Sequence, residues 1–306
     1  MNNLHLLLLI LAVIFVVLFA ISRRTAIAYG RFVVLLLVGT VILLPFVWLI
    51  CAAFKDTTVL NEYRFLPPVS KISSHTLNLD SFRTLFADKQ TVQGSVSFWR
   101  YIVNSIFLAC AGTSLSLIFS SMGGFALAKY QFGGRGALLS YMLASMTIPG
   151  VVLLAPNFEV MFKLGWLDSY KAILIPGCVG AFGIFLFRQA MLKVPDDLIE
   201  AGRIDGCGEF RIYLQLVMPL VRPMSAAFCL ISFLGSWNSF LVPNIYLQTQ
   251  SKLTLPVVLN QYIGEYSQQY GVFLAGTLLA IIPPAILFFA LQREFISGLT
   301  SGAVKQ

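Results

Sequence analysis

Long apolar runs separated by short polar breaks govern this chain, and none of the runs alternates strictly. Leu4–Ser22 is a run of 19 nearly uninterrupted apolar residues, about 28 Å long as a helix and enough to cross a bilayer. No Lys or Arg precedes it, while Arg23 and Arg24 follow it. That is the reverse of signal-peptide polarity, so the run reads as a membrane helix with its N-terminus outside. After a short cytoplasmic link holding Arg23, Arg24 and Arg31, spans are predicted over 32–54, 100–129, 137–156, 172–192, 224–242 and 272–291. Only helices or closed barrels satisfy the backbone in lipid, and long runs without alternation favour helices. Pro45 interrupts the second span, and Pro149-Gly150 should kink or break the fourth. Gly177, Gly180 and Gly183 give the fifth a small-residue face for close helix approach, chiefly within the chain. Seven spans leave the C-terminus cytoplasmic. The short basic loop 129–136 and the stretch 193–222 fall on that side. The segments 55–98, 157–170 and 243–271 read as outer loops.

The stretch 193–222 is the most charged part, with five acidic and four basic residues. Pro195 and Asp197 predict a helix start. Asp197 can accept from free backbone N–H groups, and Glu200 completes an acidic variant of the capping box. Gly206 predicts the stop, because it takes a left-handed conformation at no steric cost. A second helix is expected over 209–218, with Phe210, Tyr213, Leu214 and Val217 on one face and Pro219 as its limit. Both helices are too short to be stable alone, so they pack on membrane helices or on another protein.

Composition removes several function classes. The chain has 306 residues, 58% hydrophobic and only 11% charged, whereas soluble proteins average about 25% charged. The net charge of +8 is dispersed, without the basic stripe and interleaved aromatics of a nucleic-acid surface. Cys51, Cys110, Cys178, Cys207 and Cys229 stand singly, and His5 and His75 lie far apart, so neither a metal site nor a disulfide framework is supported. The sequence contains no GxxxxGK[ST] loop, nucleophile elbow or HExxH. It carries no catalytic residue by these criteria, and no cofactor is implied.

Glu200-Ala201-Gly202, Gly206 and Leu216-x-Met218-Pro219 resemble the EAA loop of ABC importer permeases, whose pattern is Glu-Ala-Ala, three residues, Gly, nine residues, Ile-x-Leu-Pro. Gly202 replaces Ala, at a cost of about 1 kcal/mol in helix propensity; Leu216 and Met218 are apolar swaps. The tail Phe295–Lys305 looks like the ending of carbohydrate-importer permeases of the maltose type, and Gly235–Pro243 is similar to their Trp-Asn-x-Phe-Leu-x-Pro run. Leu44-Pro45 followed by Phe54-Lys55 also fits. The resemblance covers residues 30–306, with 1–29 as an added N-terminal helix and link.

The resemblance implies an all-α polytopic membrane protein, a type I ABC importer transmembrane domain of six core helices plus the extra one. It implies a bacterial or archaeal plasma membrane, a second permease subunit forming a heterodimer, an ATPase subunit dimer, an extracytoplasmic solute-binding protein and a sugar as cargo. Glu200 and Asp205 would face basic or backbone groups of the ATPase, Ala201, Gly202 and Gly206 would permit close approach, and Pro219 would fix the return into the membrane. Asn238 is the polar residue most readily placed on the pathway, an interhelical hydrogen bond being its alternative. Trp237 and Phe240 are able to stack on sugar rings or to pack in the core. A stand-alone secondary transporter would need charged midplane residues, which no span carries. A membrane-embedded enzyme would need convergent His or carboxylate groups.

Overall fold

The computed structural model describes residues 22–91, 94–264 and 268–301, and the chain divides into two compact units at Ser81. The expected span Leu4–Ser22 and most side chains of the tail lie outside the described residues. In the first unit, α1 (Arg23–Ala53) is 31 residues long, about 46 Å. It begins nine residues before the expected span, so Arg23, Arg24 and Arg31 lie within the helix and not in a link. Leu35, Val41 and Leu43 are exposed along its middle, and only Ala26, Leu49, Ala52 and Ala53 are buried. A helix that is apolar all round and bare of protein requires an apolar solvent. Beyond it the chain closes on itself. The Asn78 N–H donates to the Phe54 carbonyl at 2.9 Å, its side-chain amide donates to Asp56 at 2.9 Å, and the buried Lys55 amine donates to the Tyr63 carbonyl.

The chain continues through α2 (Asp80–Phe86), β1 (Lys89–Thr91) and β2 (Gly94–Val96), α3 (Phe98–Lys129), α4 (Arg135–Ser145), α5 (Leu154–Lys163), α6 (Lys171–Gly177) and α7 (Ala181–Met191). Then follow α8 (Asp196–Ile204), α9 (Glu209–Leu220), α10 (Arg222–Trp237), α11 (Leu241–Tyr246), α12 (Leu255–Gln261) and α13 (Tyr270–Ser301). The antiparallel hairpin, Lys89 opposite Val96, is a small β element in a chain expected to be all helix.

The second unit is built on α3, which packs against α7 and α10, with α13 behind α10. Glycines set the α3–α7 distance. A Cβ on Gly124 would lie 2.5 Å from Phe187 Cβ, and one on Gly183 would lie 2.5 Å from Ser120 Oγ. Of the predicted small-residue face only Gly183 makes such a contact; Gly177 and Gly180 face open space. Two apolar clusters lie along α3. One gathers Phe98, Tyr101, Phe233, Trp237, Leu255 and Val258; the other gathers Phe125, Phe187, Met191, Ile199, Ile212 and Val217 at the opposite end of α3.

Among the described residues four helical stretches are long and apolar enough to cross a membrane: 23–53, 98–129, 171–191 and 270–294. The pair α9 and α10, bent by 84°, makes a fifth if counted as one. The expected span over 137–156 is not one helix. Its first part, α4, has 11 residues, about 16 Å, and the chain unwinds around Pro149-Gly150 before α5. The expected outer loop 243–271 is also folded, into α11, a 3₁₀ turn at Gln250–Lys252 and α12. Leu253, Leu255, Val257, Val258 and Leu259 are buried. Asn104 of α3 holds this segment by donating to the carbonyls of Ser251 and Leu253, both at 2.9 Å. Five apolar positions are too few to read as a span, yet they suffice to plug a bundle end.

Candidate functional site

The stretch 193–222 forms a helix–glycine–helix module clamped onto the end of α3. α8 begins at Asp196 with Pro195 as its cap, and no side chain caps it. Asp197 therefore does not cap. It joins Asp196 in the first turn, where negative charge complements the helix dipole. Asp196 accepts from Lys129 Nζ at 2.6 Å, and the same amine donates to the Val194 carbonyl at 2.5 Å; the Lys129 side chain is 4% exposed. The expected stop holds. Gly206 has φ +80°, its N–H donates to the Arg203 carbonyl at 3.0 Å, and the Cys207 N–H reaches the Gly202 carbonyl at 2.9 Å. This pair of bonds is the Schellman arrangement, which needs a left-handed residue at that position.

Across the turn, the Arg203 guanidinium donates to both Glu209 oxygens, at 2.7 and 3.3 Å. Tyr130 donates its hydroxyl to the same carboxylate at 2.5 Å. Arg203 and Tyr130 hold the Glu209 carboxyl below its ordinary value. Burial and then the Glu209 contact push Tyr130 up to about 12. No sequence motif marks this clamp, although a Lys-Tyr pair closing a span was its one local hint.

The second helix differs from expectation in its face. Ile212–Val217 forms a π turn, and Ile212, Tyr213 and Val217 are buried while Phe210 and Leu214 are exposed. Wider spacing rotates the buried stripe off the 3.6-residue pattern. Pro219 supplies no N–H to the turn before it, which loosens the ladder there. It does not end the helix, which runs on to Leu220 before the 84° elbow at Val221. Tyr213 OH and Ser121 Oγ share a hydrogen bond of 2.7 Å into α3. Gly202 is buried, and a Cβ there would sit 2.8 Å from Leu216 Cδ1, so its close approach serves the module's own packing. Glu200, Ala201, Asp205 and Gly206 are exposed. Beside them Ile204 is 86% and Phe210 64% exposed.

At the far end of α3, Trp237 is buried, donates its indole N–H to the Ala280 carbonyl at 3.1 Å, and stacks on Phe233 at 5.8 Å. Phe240 packs half-buried against the same cluster, and Asn238 is exposed at the end of α10. These three residues do not line the nearby cavity of about 350 Å³; their neighbours Gly235, Ser236 and Ser239 do, with Ser105, Asn157 and Thr254. The sequence also did not reveal a second clamp. Asp168, at φ +57°, accepts from the N–H groups of Gln248 and Thr249, from the Thr249 hydroxyl and from Lys252 Nζ at 2.7 Å. Burial pushes the Asp168 carboxyl up, but Lys252, Thr249 and the two backbone N–H groups outweigh it and hold it well below the carboxylate range.

Residues 120–299 match the family described as "Binding-protein-dependent transport system inner membrane component". The chain belongs to that permease family. The permease is 37% identical over 263 residues to the arabinooligosaccharides transport system permease protein AraQ of Halalkalibacterium halodurans, covering 85% of this chain and 90% of that one. It is 31% identical over 275 residues to the lactose transport system permease protein LacG of Rhizobium radiobacter, covering 90% and 95%. Its fold matches a chain in the crystal structure of a bacterial ABC transporter involved in the import of the acidic polysaccharide alginate. That match has a TM-score of 0.75 at 24% identity, over 90% of the permease and 98% of that chain. The permease is thus a mostly helical ABC importer transmembrane domain of the type I fold.

Proposed function

We propose that this permease forms half of the translocation pathway of an ATP-driven sugar importer and takes its drive through residues 193–222. The observation that carries the reading is the exposed side of the clamped module. Glu200, Asp205 and the bare side chains of Ile204 and Phe210 project from a helix–turn–helix held to α3 on either side, by Lys129–Asp196 and by Ser121–Tyr213. An acidic rim around exposed apolar groups suits a partner protein better than water. ATP hydrolysis then resides on a separate pair of ATPase subunits docked there. A second permease completes the pathway, and a solute-binding protein delivers cargo at the opposite face. Ala201 and Gly206 leave room for the ATPase surface, Gly202 and Pro219 shape the module from within, and Asn238 borders the pathway beside Trp237 and Phe240. Positive-inside bias puts this module and the C-terminus in the cytoplasm. The named relatives support a saccharide cargo.

The test is Glu200→Arg combined with Ile204→Glu in the full importer. The expected result is loss of ATPase copurification and of ATP-driven uptake, with membrane insertion unchanged. Normal uptake by this variant would refute the docking role.

A further inference from the structure

The cavity of about 350 Å³ lies where two interrupted helices meet the far end of α10, near Gly150 in the α4–α5 break and Pro176-Gly177 just ahead of the α6–α7 break. Unwound backbone at membrane depth is tolerated where it lines a cavity or is buried in protein. We infer that this cavity is a binding subsite for one ring of an uncharged saccharide, and that the importer's cargo is therefore neutral. The inference rests on the sugar-importer reading and narrows it to a cargo class.

Three observations carry it. First, the polar residues lining the cavity are neutral: Ser105, Ser236, Ser239, Thr254, Tyr246 and Asn157, with no Asp, Glu, Lys or Arg among the lining residues. A carboxylate or phosphate moved there would lose its hydration without meeting a countercharge. Second, the lining residue Ser105 accepts the Leu255 N–H at 2.7 Å through its oxygen, which leaves its hydrogen to donate. Third, the volume is at the small end of ligand pockets, roughly 300–1,000 Å³, which suits one ring. Leu154 and Ile173 offer apolar surface to its C–H face. Gly177 and Gly235 keep the space open, since a Cβ on either would meet no atom within 4 Å.

The experiment uses the full importer in proteoliposomes with its binding protein. The probes are lactose and arabinotriose as neutral cargoes, and sn-glycerol 3-phosphate and a uronic-acid disaccharide as charged ones. Gly235→Leu and Gly177→Leu add bulk at two lining positions where a Cβ meets no atom within 4 Å, and retention of the ATPase subunit reports assembly. The expected result is uptake of a neutral probe that drops by about tenfold or more in both variants. Wild-type rates in the filled variants would overturn the subsite, as would transport of a charged probe as fast as the neutral ones. If the wild-type complex moves no probe when ATP is supplied, the sugar-importer reading itself fails.

Discussion

Gly124 sits where α3 and α7 touch, and one added methyl group measures how closely the two backbones lie. A Cβ at this position would be 2.5 Å from Phe187 Cβ, 2.8 Å from Arg188 N and 3.0 Å from Phe187 C. Comfortable carbon contacts are about 3.5–4.0 Å, so α7 would have to retreat by about 1 Å, because backbone atoms cannot swing aside. Overpacking of this kind costs about 1–3 kcal/mol, while Ala recovers about 1 kcal/mol of helix propensity over Gly. A net loss near the top of that window, about 2 kcal/mol, lowers Tm by roughly 4–8 °C for a domain of this size. Gly123→Ala is the matched control. Its Cβ would meet only the Ile184 side chain, at 3.2–3.4 Å, and that side chain can rotate, so its Tm should stay within about 2 °C of wild type. Thermal unfolding of the purified complex in detergent gives both values. A Gly124→Ala protein as stable as Gly123→Ala would refute the close backbone approach.

Gly183→Ala should cost about 2 kcal/mol because Ser120 Oγ and Phe228 Cε2 stand 2.5 and 2.8 Å from the added carbon. Ser120→Gly should restore about 1 kcal/mol of it in a double-mutant cycle; simple additivity would count against the contact. Asp168→Asn keeps a residue that tolerates positive φ and should cost about 1–3 kcal/mol, read as faster hydrogen exchange over 246–252. The Asp168 carboxyl is held low, so its contribution is complete above about pH 4. It is lost as pH falls toward the folded-state value, and the Asn variant should lack that acid limb. Glu209→Gln should loosen the α8–α9 turn, seen as proteolysis or exchange at 203–211. The wild-type clamp should weaken as pH falls below about 4.3, because Glu209 is held low. Its Tyr130 arm should stay whole to about pH 10 and be lost as pH rises toward about 12.

Hydropathy made the membrane class, the unwinding at Pro149-Gly150 and the charged stretch readable, because each is a local property of consecutive residues. Gly206 was readable for the same reason: its left-handed turn depends on four neighbouring amides. Asp197 was not, because the helix started one residue earlier and Lys129, 67 positions away, took Asp196. The face of α9 escaped because a π turn changes the period on which face assignment depends. The fold-back of 243–264 escaped because its hydrophobic residues are buried only by distant elements, α3, α10 and α13, with Asn104 and Ser105 of α3 holding its backbone. The cavity escaped for a related reason. Its hydroxyls come from several separate elements, and no spacing rule joins them.

The elbow at Val221 has one mechanical outcome. The Val221 N–H still donates to the Val217 carbonyl at 3.2 Å, and the Ser225 N–H donates to Val221 at 3.0 Å, so the corner is stitched through and not slack. α9 and α10 then form an angled crank with arms of about 18 and 24 Å. Turning it by about 5° carries the tip of the longer arm through about 2 Å. Gly235 and Ser236 ride on that tip, so a tug on the short arm would reshape the hollow at the other end.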